Sequence, residues 1–250
     1  MKNIRIALIQ FDAEPEAVQQ NLQKMNTLGS QAAGHGARWI VFHEGTVCDY
    51  TPRLRDFAEP VPGGPSTQAM IKLAQEHDCF VSFGLSETDD DRYFITQAFV
   101  GPGGLIHRYR KTWLWHECDD KGYRDEWTRY DPGGGPELFT FDDVAATCFI
   151  CADGDAPRCI ARAKALQPEV VFFPNNRQVL PDFEVFGAIA GTINAPMLVT
   201  NRTGHSWMYD CKGGSVVYSA KGAVLAQANR EGKEEMLIYD LEIQSRGGLE

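Results

Sequence analysis

The 250-residue sequence predicts an α/β fold built on mixed β-structure. Three observations carry that expectation. Short apolar runs bounded by turn residues recur along the chain with the length and β-branched or aromatic content of strands. Longer stretches between several of them space their apolar residues at helical intervals, and strands alternating with helices point to an α/β architecture. Late in the chain, SVVYSA and AVLAQA meet at Lys221-Gly222 as a hairpin, so at least part of the sheet is antiparallel.

In chain order, IRIALIQ (4 to 10) reads as a first strand, too short and too polar for a signal-peptide core. A helix follows over 16 to 36, with Gly34 and Gly36 placed where a left-handed C-terminal residue is favoured. RWIVFHE (38 to 44) is the next strand, and the Pro-Gly-Gly-Pro turn of 62 to 65 delivers Ser66 as the cap of a helix over 66 to 77. Strands are expected at 79 to 87, 95 to 101, 144 to 151, 169 to 176, 197 to 203 and 214 to 220, with helices at 157 to 167 and 183 to 194. The segment 112 to 137, rich in Trp, Gly and charge, reads as a long loop, and such loops in compact domains usually carry function. No repeat, low-complexity tract or linker divides the chain. One domain over 1 to 243 is expected, with 244 to 250 as a tail whose last residues, Leu249 and Glu250, read as an expression remnant.

Composition narrows the function classes. With 43% hydrophobic and 23% charged residues the chain can bury a large core. A formal net charge of -10 repels phosphate backbones and anionic lipid, so neither nucleic acid nor a membrane is an expected partner. No apolar run approaches the roughly 20 residues of a bilayer span. Seven cysteines, an odd number, argue for reduced thiols and a cytoplasmic address.

Three residues stand at the carboxyl ends of strands or just beyond them. Cys151 closes VAATCFIC and precedes Ala-Asp-Gly-Asp-Ala-Pro, a sharp turn into a helix that would expose a nucleophile and aim backbone N–H groups at an oxyanion. The plainer alternative is a buried structural cysteine. Cys148 and Cys151 form a CxxC, but residues three apart on a strand point to opposite faces, and no second CxxC completes a zinc site. Glu44 ends RWIVFHE at the edge of a sheet where ligands bind, against the alternative of a solvated carboxylate. Lys111 lies where LIHRYRKTWLW leaves a strand and meets two tryptophans; singly, it reads as a surface lysine.

Together these segments are more specific than any one of them. GARWIVFHEG, HRYRKTWLW and FICADGDAP resemble the three signature blocks of the nitrilase, or carbon–nitrogen hydrolase, superfamily, in the family's order. The likeness extends over nearly the whole chain, through PVPGGPS, GGLIHRYRK, the DPG at 131 to 133, GTINAPMLVTNRTG and GGSVVYSAKGAVLAQA. It implies a four-layer α-β-β-α sandwich with two mixed sheets and pseudo-symmetric halves, dimerising or assembling further by helix-face packing. It further implies Cys151 as nucleophile, Glu44 as general base and Lys111 as the cation that holds the oxyanion, with the Ala152 N–H as second donor. Glu126, ahead of the Pro-Gly, is favoured over Glu117 as the second glutamate. A thiol that is mostly protonated at neutral pH needs such a base, and a cation to favour the thiolate. No metal or organic cofactor is required, and the implied substrate is a small amide.

The sequence also departs from the family pattern. His43 stands where proline is common, and Ala152 where a larger residue is common. The turn after Cys151 carries Gly154, Asp155, Ala156, Pro157 and Arg158 in place of the usual arginine or aromatic group and Pro-Glu, which disfavours N-carbamoyl amino acids. Trp113, Trp115, Trp127 and Tyr130 are candidate pocket walls or packing aromatics, and Asn175, Asn176 and Arg177 are candidate lining or turn residues. Asp153 is expected to bond turn amides. Hydrolysis of a nitrile or of an N-carbamoyl group through the same triad, and a non-catalytic scaffold or binding role, are the rival functions.

Overall fold

Alternation in the first strand sorts its side chains onto two buried faces. In β1 (Lys2–Gln10), Ile4, Ile6 and Leu8 enter one apolar cluster, and Ala7 and Ile9 enter another. In β2 (Trp39–Phe42), Trp39 and Val41 join the first cluster, and Ile40 and Phe42 the second. Strands covered on both sides have no solvated face, which is why these runs are apolar throughout.

The computed structural model describes residues 1–116, 125–177, 182–206 and 209–244. After β1 come α1 (Val18–Gly34), β2, α2 (Pro65–His77), β3 (Phe80–Asp89), β4 (Arg92–Gly101) and β5 (Gly104–Arg110). The second half holds β6 (Phe139–Phe141), β7 (Val144–Cys148), α3 (Pro157–Ala165), β8 (Val170–Asn175), α4 (Phe183–Ile193) and β9 (Met197–Asn201). It ends with β10 (Thr203–His205), β11 (Asp210–Lys212), β12 (Val216–Tyr218), β13 (Val224–Gln227) and β14 (Glu235–Ile243).

Two six-stranded sheets form, in the orders β14-β1-β2-β3-β4-β5 and β13-β12-β9-β8-β7-β6, while β10 and β11 make a separate ribbon. Each sheet has three parallel strands, β1 to β3 in one and β7 to β9 in the other, with antiparallel strands outside them. One sheet's inner face meets the other's across the cluster of Trp39, Phe99, Phe141 and Phe172, whose rings lie 5.1 to 5.7 Å apart. Each such buried aromatic stabilises the fold by about 1.5–3 kcal/mol. Met25 of α1 and Met70 and Leu73 of α2 cover the outer face of the first sheet, and Ala163 of α3 and Phe186 and Ile189 of α4 pack on the second. This is the expected four-layer α-β-β-α sandwich.

Several local expectations change. Ser66 does not cap α2; Gly64 stands at the N-cap, and Ser66 is one residue inside the helix, its N–H and Oγ both donating to the Glu59 carboxylate. The strand expected to reach residue 151 ends at Cys148. β6, β10, β11 and β14 are additions. β14 pairs residue for residue with β1 from Lys2↔Ile243 to Gln10↔Glu235, a partnership so distant in sequence that no local signal announces it. Among the described residues no helix is long and apolar enough to cross a membrane. Glu117 and residues 245 to 250 lie outside the described residues.

Candidate active site

Glu44 leaves β2 on a turn packed directly against β3. A Cβ on Gly84 would stand 2.4 Å from the Gly45 nitrogen and 2.9 Å from the Glu44 carbonyl carbon, so only glycine lets β3 run this close beneath the carboxylate. Lys111 follows β5 in the same manner. A Cβ on Gly133 would stand 2.1 Å from the Arg110 carbonyl oxygen, and the Gly133 N–H donates to the Lys111 carbonyl at 2.9 Å.

The two side chains meet in the interior. Lys111 Nζ donates to Glu44 Oε1 and to Glu126 Oε1, both at 2.8 Å, and lysine and Glu44 are each 1% exposed. Burial alone would lower the Lys111 pKa, but Glu126 and Glu44 outweigh it and hold the ammonium well above the usual lysine range. Burial pushes the Glu126 carboxyl up against the pull of Lys111. Glu126 is fixed on both sides of one residue, since its N–H donates to the Trp115 carbonyl and its Oε2 accepts from the Trp115 N–H at 2.7 Å. The Tyr50 hydroxyl donates to Glu44 Oε1 at 2.7 Å, while Glu44 Oε2, also buried, has no hydrogen-bond partner among the described residues.

Cys151 comes from the opposite sheet. It opens a 3₁₀ turn, Cys151–Asp155, with φ at 45°, a left-handed conformation that a non-glycine residue adopts only when its surroundings impose it. Asp153 holds this turn to the Lys111 segment. Its Oδ1 accepts from the Thr112 and Trp113 N–H groups and its Oδ2 from the Ile150 N–H and the Tyr109 hydroxyl, so it bonds amides as the sequence indicates, but across two sheets. Gly154 lets the turn lie on Phe173.

Glu44, Lys111, Glu126 and Cys151 line one cavity of about 120 Å³ with Tyr50, Trp115, Ala152, Asp155, Asn176, Arg177 and Tyr209. Cys148, by contrast, is sealed in the core. Burial pushes the Cys151 thiol up to about 12, with Glu44 adding to the rise and Lys111 and Arg177 opposing it. The Lys111 charge favours the thiolate but is already matched by two carboxylates, so it does not offset the burial, and the thiol stays protonated at neutral pH.

The remaining wall residues divide. Ala152, Trp115, Asn176 and Arg177 reach the cavity, but Trp113 and Asn175 do not. Trp113 lies under the Arg158 guanidinium, 4.8 Å from ring centre to charge. Asn175 turns inward, donating to the Phe173 carbonyl and accepting from Arg177 Nε. Trp127 is 61% exposed and Tyr130 packs in a small cluster with Leu54, Ile95 and Leu114, both off the cavity wall. Tyr50, Asp155 and Tyr209 were not legible as wall residues. Positive φ at Gly45 and Asp49 curls the segment so that Tyr50 returns to Glu44, a path no spacing rule encodes.

A second buried ion cluster lies beside the first. Arg202, fully buried, puts Nε 3.2 Å from Asp49 Oδ1 and donates through Nη1 and Nη2 to Asp12 and to the carbonyls of Ala13, Thr203, Gly204 and His205. Asp49 also accepts from Asn176 Nδ2 and Ser206 Oγ.

Comparison with known proteins identifies the family and the fold. The family model for carbon-nitrogen hydrolases matches residues 5–249. A nitrilase from Pyrococcus abyssi is 26% identical over 96% of this chain and 90% of its own length, and an (R)-stereoselective amidase from a Pseudomonas species is 23% identical over 96% and 86%. Among solved structures, an amidase from Nesterenkonia sp. AN1, in a mutant form carrying the acetamide moiety of fluoroacetamide covalently at its active site cysteine, superposes with a TM-score of 0.83 at 20% identity, covering 95% of this chain and 90% of that one. The whole-chain family match, with amidase and nitrilase relatives and the same fold, places this protein in the carbon-nitrogen hydrolase family.

Proposed function

We propose that the chain hydrolyses a small carboxamide to a carboxylate and ammonia through an acyl-enzyme on Cys151. The observation that carries this reading is Lys111 Nζ, 2.8 Å from both Glu44 and Glu126, on the wall of the cavity that also exposes Cys151. Since the thiol rests protonated, attack and deprotonation go together. The Cys151 sulfur bonds to the carbonyl carbon, its proton passes to Glu44, and the carbonyl electron pair moves to oxygen, where Lys111 and the Ala152 N–H stabilise it. Glu126 orients the amide nitrogen, which takes the proton from Glu44 and leaves as ammonia as the C–N bond breaks. Water then gives a proton to Glu44 and attacks the thioester; the C–S bond breaks and the thiol is reprotonated. The buried, unpartnered Glu44 Oε2 supports its part as base. The reaction needs no cofactor.

The small cavity favours a compact acyl group, and the aromatic wall of Tyr50, Trp115 and Tyr209 suits an uncharged one. Exposure of the enzyme to short aliphatic amides should give ammonia release and a Cys151-linked acyl adduct by mass spectrometry, both absent in Cys151→Ala. Matched nitriles should be turned over more slowly. Failure of both substrate sets, with no adduct, would leave a scaffold role. The cysteines among the described residues are all free, which suits a reducing cytoplasm. The outward face of α4, where Val185, Ala188, Gly191 and Thr192 are exposed and Glu184 is the one charge among them, suits helix-to-helix packing in a homodimer, measurable as twice the chain mass by light scattering.

A further inference from the structure

Arg177 follows β8 and belongs to neither the acid–lysine cluster nor the Asp49–Arg202 cluster. Its Nη2 donates at 2.8 Å to the Cys151 carbonyl oxygen and at 2.8 Å to Asp155 Oδ2, the first and last residues of the turn Cys151–Asp155. The guanidinium is itself immobilised. Nε donates to Asn175 Oδ1, Asn175 Nδ2 is anchored on the Phe173 carbonyl, the Arg177 N–H donates to Asn201 Oδ1, and the charge lies 5.4 Å from the Phe186 ring centre. A planar fork fixed this way is a staple that a lysine ammonium cannot copy.

We propose that Arg177 is a positioning residue of the nucleophile, stapling the left-handed Cys151 turn through its two ends and setting the charge balance at the sulfur against Asp155. The proposal rests on Cys151 being the nucleophile. Two features give it force. The left-handed φ of 45° at Cys151 has to be imposed from outside the residue, and Arg177 bonds that residue's own carbonyl. Lys111 is committed to two carboxylates, while the field of Arg177 also reaches the thiol, and Asp155 is ion-paired to that guanidinium at 2.8 Å.

The test uses three variants of the full chain, Arg177→Gln, Arg177→Lys and Asp155→Asn, and a small neutral reagent, methyl methanethiosulfonate. The labelling rate is read at the Cys151 peptide by mass spectrometry at fixed pH. Arg177→Gln should slow labelling about tenfold and Asp155→Asn should speed it about threefold, since one removes a cation and the other an anion beside the sulfur. Arg177→Lys keeps the charge and loses the fork. Its labelling should stay within about twofold of wild type while kcat for an amide falls about tenfold or more, with KM changed less. A role limited to propping up the fold would move Arg177→Gln and Asp155→Asn in the same direction, and that result, or labelling unchanged in both, overturns the proposal. Labelling needs no turnover, so loss of the amidase reading and loss of this one are separately visible.

Discussion

Two buried ion clusters lie side by side in this protein and are built from the same chemistry. In one, Lys111 bridges Glu44 and Glu126; in the other, Arg202 meets Asp49 and Asp12. They differ in which atom is left over and what it faces. Arg202 is surrounded by backbone carbonyls and both oxygens of Asp49 are bonded, leaving only the Arg202 Nε without a hydrogen bond among the described residues and away from the cavity, whereas Glu44 keeps one carboxylate oxygen without a partner and faces the cavity. A buried pair whose carboxylate is bonded at both oxygens holds loops together, and one whose carboxylate keeps a spare oxygen beside a cavity keeps a reactive atom in reserve.

The largest expected effect is at the cluster around Lys111. Glu44→Gln should lower kcat for an amide by about 10³-fold while the unfolding free energy changes by no more than about 1 kcal/mol, because Lys111 retains Glu126. Arg202→Met should do the reverse. Leaving Asp49 buried without its cation should destabilise the fold by about 3–5 kcal/mol in urea titrations, with kcat per folded molecule reduced less than about tenfold. If Arg202→Met left stability intact and abolished turnover, the division between scaffold and chemistry would be wrong.

The smallest effect sharpens the boundary between the clusters. His43 precedes Glu44, its ring 5.1 Å from that of Phe11, and burial, with Arg202 adding to it, holds its imidazole down to about 3. The folded state therefore keeps His43 neutral, while the unfolded chain takes up a proton below about pH 6.5. Its contribution is fully present above that value and is lost as pH falls, by about 1.4 kcal/mol per pH unit, down to the folded value. His43→Asn should flatten this part of the stability profile between roughly pH 6 and 4 in urea titrations.

Much of this was readable in the sequence because strands buried on both faces write themselves as apolar runs, and the residue that ends such a run marks a sheet edge. Glu44 was found that way, and so was Cys151, although its strand stops three residues earlier. α1, α2, α3 and α4 fall within about two residues of their expected limits at either end. The four-layer arrangement came from the family likeness. β14 was missed because its partner is the first strand of the chain, and Tyr50 because a loop with two left-handed residues decides where it points. Asn175 and Asn176 show the same limit: adjacent residues leave one strand end, and only the second reaches the cavity.

The proposed base and the proposed nucleophile ride on different sheets, Glu44 after β2 and Cys151 after β7, with the aromatic layer of Trp39, Phe99, Phe141 and Phe172 as the spacer between them. That layer is thus a ruler as well as a core. Trimming one ring would let the sheets settle closer by a fraction of an ångström, altering the reach from oxygen to sulfur without touching either, so catalytic rate becomes a gauge of how the two halves are seated.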